Sequence, residues 1–233
     1  MLNHVIAFTE GLDVDFVRGT GNALEPEILE SLARYRHRVF IEKLGWQLPC
    51  MPGEERDQFD GPHTIYIAAR NEAGAVIGSA RLLPTDQPYL LAEVFPQLMG
   101  GFPLPRTPRV WELSRFAAVD LAKNRRSTSS QFNYSISIPL LEEVLAVARA
   151  HGAERLITVS PLGVERLLRR AGFIAHRAAP PVIIDGSPLF ACWIELKRLV
   201  DNVAPLHAPR AVDPRPSVQS IGGAYMTKLA HER

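Results

Sequence analysis

The chain has 233 residues, a formal net charge of +1 at pH 7 and a hydrophobic fraction of 46%. That length suffices for one sizeable α/β domain without requiring two, and the apolar content supports a packed core. Near-neutral charge argues against a general nucleic-acid binder held by phosphate neutralisation, and two cysteines, Cys50 and Cys192, are too few for a zinc cluster or a disulfide framework.

The opening stretch "MLNHVIAFTEGLDVDF" has no basic segment followed by a long apolar one, and no apolar run approaches membrane-spanning length. A cytoplasmic protein without membrane insertion is the expectation. From Glu25 to Phe40, Ile28, Leu32, Tyr35 and Val39 recur at spacings of three and four, which predicts a helix with Pro26 in its first turn. It runs into "IEKLGW", where Gly45 is the stop. "QLPCMPGEERDQFDGPH" has no period and reads as a loop.

A hairpin follows, with Thr64 to Ala69 and Ala75 to Leu83 flanking a turn from Arg70 to Gly74. "PTDQPYLLAEVFPQLMGGFPLPRTP" is irregular, with a short helix near Leu90 to Phe95 and enough apolar residues to form a flap or wall. "RVWELSRFAAV" is a strand. "NRRSTSSQ" interrupts before the helix in "FNYSISIPLLEEVLAVARAHG", where Pro139 implies a kink or a later start. "ERLITVS" is a buried strand, and "SPLGVERLLRRAG" a helix with Ser160 as cap, Pro161 in the first turn and Gly172 at the end. A strand pair, Phe173 to His176 and Leu189 to Leu196, closes around "PPVIIDG". Residues 1–201 make one domain, and 202–233 a loose extension with a short helix possible near Met226. The order predicts an α/β sandwich on a mixed sheet with helices on its faces. No glycine-rich turn follows a first strand, so a doubly wound nucleotide fold is not expected.

Arg36 and Phe40 share a helix face, and Trp46 follows six residues on. They read either as core aromatics beside a solvent-facing arginine or as an aromatic-lined cleft with a cationic side. Asp57 and Asp60, three apart beside Phe59, are solvated or capping groups, bind a substrate ammonium, or clamp Arg36 and Arg81. No histidine or third carboxylate follows them at ligand spacing, and no metal is expected.

Arg81 stands among Ala80, Leu82 and Leu83, while Glu112 and Arg115 stand in "WELSRF". Residues three apart in a regular strand face opposite ways, so Glu112 and Arg115 serve different sides unless a bulge unites them. Buried charge is costly unless paired, and three charged side chains on core strands exceed what a structural sheet needs. Any one of them escapes that cost on an exposed face. No Gly-x-Ser-x-Gly elbow is present, and His37, His63, His151 and His176 form no recognisable set. Direct transfer between two bound substrates is therefore favoured over covalent catalysis, with a carboxylate such as Glu112 accepting a proton from an attacking amine.

Arg36-x3-Phe40-x5-Trp46, Asp57-x2-Asp60, Arg81, Phe95 and Glu112-x2-Arg115 together closely resemble the acyl-homoserine-lactone synthases, the autoinducer synthases of bacterial quorum sensing. The likeness runs from about Arg36 to Gly172 and continues through "VERLLRRAG". It implies a three-layer sandwich with a central mixed, twisted sheet, similar to the N-acetyltransferase fold. It also implies transfer of an acyl group from a thioester to the amine of S-adenosylmethionine, then lactonisation with release of methylthioadenosine. S-adenosylmethionine is then a co-substrate, with no prosthetic group. The acyl donor is acyl carrier protein, or acyl-coenzyme A in some members.

By position, the resemblance puts Arg36, Phe40 and Trp46 in the S-adenosylmethionine pocket, ordered by Asp57 and Asp60. Glu112, Arg115 and Arg81 become the catalytic group, with Glu112 as base. Phe95, Thr158 and Ser160 become acyl-chain residues, Thr158 as a hydroxyl able to meet a 3-oxo carbonyl. The alternative for Thr158 is a β-branched residue packed in its strand. Lys123, Arg125 and Arg126, with Arg166, Arg169 and Arg170 on the later helix, are solvated faces or a docking surface for an acidic carrier protein. An acetyl-coenzyme A-dependent N-acetyltransferase would favour a glycine-rich pyrophosphate loop, and "DLAKNRRSTSSQ" has no glycine. A non-catalytic regulatory or nucleic-acid-binding module fits least, given the in-strand charges.

Overall fold

Residues 5–9, 12–123 and 132–198 are described by the structure, a computed structural model. Arg125, Arg126, the boundary near Asn202 and the helix considered near Met226 lie outside the described residues.

Two strands precede the first expected helix, where the sequence reading assigned no element. They are β1 (Val5–Thr9) and β2 (Leu12–Thr20), paired antiparallel. In β2 the period of two puts Val14 and Phe16 in the main core and Val17 in a smaller cluster on the other face. β2 pairs with β3 (Ile65–Arg70), which forms the expected hairpin with β4 (Val76–Pro84). Gly74 turns that hairpin at φ +75°, a conformation glycine adopts without a Cβ clash.

The first helix is α-helical only over α1 (Pro26–Arg36) and continues as a π-helical segment, His37–Lys43, before Gly45 ends it at φ +70°. The wider π turn changes the angular offset between Arg36 and Phe40 from that of a regular α-helix. Such turns recur at functional sites. The irregular middle of the chain holds α2 (Leu90–Glu93) and a 3₁₀ turn, Pro96–Met99. Then come β5 (Val110–Ala118), α3 (Tyr134–Ala150), β6 (Arg155–Pro161), α4 (Val164–Arg170), β7 (Phe173–Arg177), β8 (Val182–Ile184) and β9 (Ser187–Arg198).

Of the two readings of Pro139, a kink or a later start, the later start is excluded: α3 begins ahead of it, with Asn133 accepting from the Ser135 N–H as its cap, and the proline sits inside the helix. One sequence expectation is corrected here. Ser160 caps nothing, because β6 runs through it and Pro161, opposite Phe190 and Leu189 of β9. The cross-strand ladder outweighs the local Ser-Pro start signal, and α4 is entered at Gly163 with φ +95°.

The sheet order is β1-β2-β3-β4-β5-β6-β9-β7, with β8 on β9, and among these strands only β5 and β6 pair in parallel. That parallel ladder holds three pairs and ends at Glu112↔Ile157, although β5 continues to Ala118 and β6 to Pro161. Beyond it the facing edges of the two strands are not paired with each other. One face of the sheet carries the main core under α3 and α4, with Leu140, Val144, Leu168 and Phe173 among its members. The other face is covered in two parts. α1 and the π segment lie over β2 to β4 and the Ala117 end of β5, and Tyr89, Leu91, Leu98 and Met99 wall off the start of β5 with β6 and β9. The charged cluster lies between those two coverings.

Candidate active site

The bulge that would unite Glu112 and Arg115 is present. Ser79 pairs with Ala117 and Arg81 with Ser114, so Ala80 alone stands against Arg115 and Phe116. Arg115 takes φ +51°, a conformation that costs a non-glycine residue about 1–3 kcal/mol and persists where surroundings enforce it. Trp111 and Leu113 keep to the main core, and the extra residue brings the Arg115 side chain onto the face of Glu112, Ser114 and Arg81.

On that face three guanidinium groups meet three carboxylates. Arg36 donates from Nε to Glu55 Oε2 at 2.5 Å and grips Asp60 with Nη1 and Nη2 at 2.8 and 2.9 Å. Arg115 donates to Glu55 from Nε and Nη2 at 2.9–3.1 Å, and from Nη2 to Asp57 Oδ2 at 2.7 Å. Arg81 holds both oxygens of Asp57 and donates from Nε to Ser114 Oγ at 3.0 Å. The loop braces itself as well: Asp57 N–H donates to Asp60, Phe59 N–H to Asp57, and the Tyr66 hydroxyl to Asp60 Oδ1 at 3.0 Å. Asp57 and Asp60 are therefore the clamp among the alternatives in the sequence.

Formal charges in this cluster cancel, which makes its burial tolerable. Burial alone would push the Glu55, Asp57 and Asp60 carboxyls up. The guanidinium hydrogen bonds and charges outweigh it and hold all three below the usual carboxylate range. Burial likewise disfavours the charged forms of Arg36 and Arg81, and their carboxylate partners reverse it. Glu55, 1% exposed and bridging Arg36 to Arg115, is the member that sequence reading missed. Its only signal was its place in "ERDQFD", the acidic stretch that also carries Asp57 and Asp60.

Glu112 stands apart from these ion pairs. Its carboxylate is fully buried, and its two oxygens accept the backbone N–H groups of Leu90 at 2.9 Å and Leu91 at 2.7 Å. It thus ties the start of α2 to β5. Burial pushes its pKa up to about 7, against the pull of those N–H groups and of Arg81 and Arg115. Beside the cluster, Phe40 and Trp46 stack with centroids 4.7 Å apart, Phe40 fully buried and Trp46 38% exposed. Arg115 lies 5.9 Å from the Phe40 ring centroid, and Arg81 lies 5.7 Å from that of Phe59. Among the described residues no group of three or more metal-ligating side chains comes together, and no helix is long and apolar enough to cross a membrane.

A sequence model of one family, described as autoinducer synthase, matches residues 22–197. The acyl-homoserine-lactone synthase of Acinetobacter nosocomialis is 50% identical over 183 residues, covering 78% of this chain and all of that one. The chain belongs to the autoinducer synthase family. It is an acyltransferase of the acyl-homoserine-lactone synthase class. Among solved members, TofI in a ternary complex with an inhibitor and MTA superposes with a TM-score of 0.67 at 43% identity, over 78% of this chain and 91% of that one. BjaI, a CoA-dependent synthase holding SAM and isopentyl-CoA, gives 0.68 at 26% identity, over 79% and 85%. An acyl-CoA N-acyltransferase from Pseudomonas aeruginosa, at 17% identity and a TM-score of 0.53 over 78% and 99%, shares the fold.

The remaining residues singled out for synthase chemistry are not all brought together. Phe95 packs against the apolar cluster on the α2 side of the sheet, the cluster to which Ile157 belongs. Thr158 and Ser160, both buried, alternate to the opposite side, where their ladder partners Cys192 and Phe190 belong to the main core. Lys123 is exposed, its Nζ 3.8 Å from Asp120, and Arg166, Arg169 and Arg170 are exposed on α4.

Proposed function

We propose that this acyltransferase makes an acyl-homoserine lactone from S-adenosylmethionine and an acyl thioester, preferring acyl carrier protein as the donor. The observation that carries the reading is the Phe40–Trp46 stack beside the Arg36–Glu55–Arg115 chain of charges. An aromatic shelf next to fixed cations suits a ligand that joins a purine to an amino-acid carboxylate. Arg36, Phe40 and Trp46 line that pocket, and Asp57 and Asp60 hold its arginines in place.

The neutral methionine amine attacks the thioester carbonyl, the C–S bond breaks, and the thiol leaves with a proton. Glu112, with its pKa raised to about 7, is the base that relieves the attacking amine of its proton, directly or through water. Each of its oxygens keeps a lone pair beyond the one given to Leu90 or Leu91. Arg81 and Arg115, each paired with carboxylates, hold the walls of the cleft in place around the reacting groups. The methionine carboxylate then attacks the carbon beside the sulfonium, closing the lactone as methylthioadenosine departs. The acyl chain enters where β5 and β6 part, a route that touches Phe95 on one side of the sheet and Thr158 and Ser160 on the other.

A carrier-protein donor is supported by the exposed arginines of α4 and by the glycine-free segment after β5. Residues 202–233 are proposed to extend beyond a catalytic domain of residues 1–201. A coenzyme A donor is the second reading, favoured by the likeness to BjaI. Purified protein with S-adenosylmethionine and matched acyl-carrier and acyl-coenzyme A thioesters, analysed by mass spectrometry, tests both. Lactone formed preferentially from the carrier thioester is expected. Preferential turnover of the coenzyme A thioester overturns the donor assignment, and no lactone from either overturns the activity.

A further inference from the structure

Arg115 reaches Glu55 and Asp57 only because the bulge resets the side-chain parity of β5. In an unbroken ladder it would point at the apolar underside of α3, where Trp111 and Leu113 lie. Something must hold a non-glycine residue at φ +51°. Arg115 has no cross-strand partner in the β4–β5 register. Its carbonyl instead accepts a hydrogen bond from the Ser79 hydroxyl at 2.7 Å, a contact buried at 1% exposure on the serine. Ser79 is the last paired residue of β4 before the register shifts. Gly78 beside it sits against Ala69, Leu140 and the Ala117 carbonyl, and a Cβ there would come within 3.1–3.3 Å of all three. The backbone of β4 is thus packed tightly where the hydroxyl is presented.

We infer that Ser79 is a positioning residue of the S-adenosylmethionine site: its hydroxyl fixes the bulge that aims Arg115 into the carboxylate cluster. The inference rests on the pocket assignment proposed above. Ser79 does no chemistry and touches no substrate. It takes the place of the ladder partner that the bulge removes, and a buried carbonyl without a donor would favour another backbone conformation. Any slack passes to Arg115, then to Glu55, and through Glu55 to Arg36.

Titration calorimetry of S-adenosylmethionine binding to wild type, Ser79→Ala, Arg115→Ala and the double variant tests this, alongside KM for the acyl donor. Ser79→Ala should weaken S-adenosylmethionine binding about tenfold, the equivalent of one buried hydrogen bond, and leave donor KM within about twofold. Adding it to Arg115→Ala should cost nothing further, because its effect runs through that arginine. Wild-type affinity in Ser79→Ala together with weak binding in Arg115→Ala overturns the role of Ser79 alone. Wild-type affinity in Arg115→Ala overturns the pocket assignment and this proposal with it. Additive losses in the double variant overturn the link to Arg115. If Ser79→Ala does not fold, Ser79→Cys keeps the size with a weaker donor; binding weakened severalfold supports the role, and unchanged binding overturns it.

Discussion

Arg81 grips Asp57 at two points, Nη1 2.5 Å from Oδ1 and Nη2 3.0 Å from Oδ2, while Nη1 also lies 3.1 Å from Asp60 Oδ1. This explains a fully buried guanidinium on a strand otherwise lined by Ala80, Leu82 and Leu83. The arginine fastens the acidic loop to the centre of the sheet, and its planar fork serves two carboxylates at once. An apolar residue would pack at lower cost but would leave three buried carboxylates to two guanidiniums, with Asp57 held by Arg115 alone and Asp60 by Arg36.

Arg81→Lys should accordingly be severe. An ammonium keeps the charge but not the fork, and it gives up the Nε bond to Ser114. We expect a loss of about 2–4 kcal/mol in unfolding free energy, together with impaired turnover. Denaturant unfolding and steady-state kinetics check this. Wild-type values in both would show that the charge alone suffices.

Acid should dismantle the same cluster. Glu55, Asp57 and Asp60 ionise more readily in the folded protein than in the unfolded chain. Their contribution is fully present above the unfolded carboxylate range, about pH 4, and is lost as pH falls through the depressed folded values. Melting temperature measured from pH 6 downward should drop steeply below about pH 4. The drop should be shallower in Arg81→Lys, whose carboxylates are less perturbed. Parallel profiles for the two proteins would contradict the assignment of this acid sensitivity to the Arg81 clamp.

The hairpin of β3 and β4 was legible because alternation and a glycine-bearing turn are both local signals. β1 and β2 escaped because short strands acquire meaning from their neighbours: Val14, Phe16 and Val17 are sorted only once β3 is beside them. Ser160 and Pro161 carried a good local helix start that pairing with β9 overrode. The charged residues were visible as individually costly, yet Glu55 looked like any loop carboxylate until Arg36 and Arg115 converged on it. The parity of Glu112 and Arg115 depended on a bulge, a property of two strands in register that neither strand's sequence contains.

Glu112→Gln separates proton transfer from anchoring. The glutamine carbonyl can accept from Leu90 or Leu91, but its NH₂ group cannot accept at all. One buried N–H is left without an acceptor, so the variant should be less stable than wild type by about 1–3 kcal/mol at acid pH, a gap that narrows as Glu112 ionises in the wild type. Loss of the base should lower turnover by roughly 10²- to 10⁴-fold, and the wild-type rate should rise as pH passes through about 7. The stability profile has the opposite sign. A carboxyl whose pKa is raised contributes stability fully present below its unfolded value and lost as pH climbs through about 7. Wild type should therefore lose stability between about pH 4.5 and 7 relative to the glutamine variant, by up to about 3 kcal/mol. Near-normal turnover in a destabilised variant would leave Glu112 as the anchor of α2 alone.

Thr158 offers a test of acyl selectivity. Among the described residues its hydroxyl has one contact, 3.4 Å to the neighbouring Val159 carbonyl, a long bond that a ligand oxygen would displace at little cost. The residue lies on β6 just beyond the last β5–β6 pair, Glu112↔Ile157, where the two strands stop sharing a ladder. A chain passing there with a carbonyl at C3 would find the hydroxyl as a donor, and an unsubstituted chain would gain nothing from it. Thr158→Val keeps the branched shape and removes the donor. The preference for 3-oxo over unsubstituted thioesters should fall by about 1–3 kcal/mol, the cost of leaving that carbonyl unpaired in a dry site. Competition between the two thioesters, with both lactones quantified by mass spectrometry, reads that difference directly. An unchanged product ratio in a stably folded variant would make Thr158 a strand residue packed beside Cys192. A wild type indifferent to the 3-oxo group would remove the contact altogether.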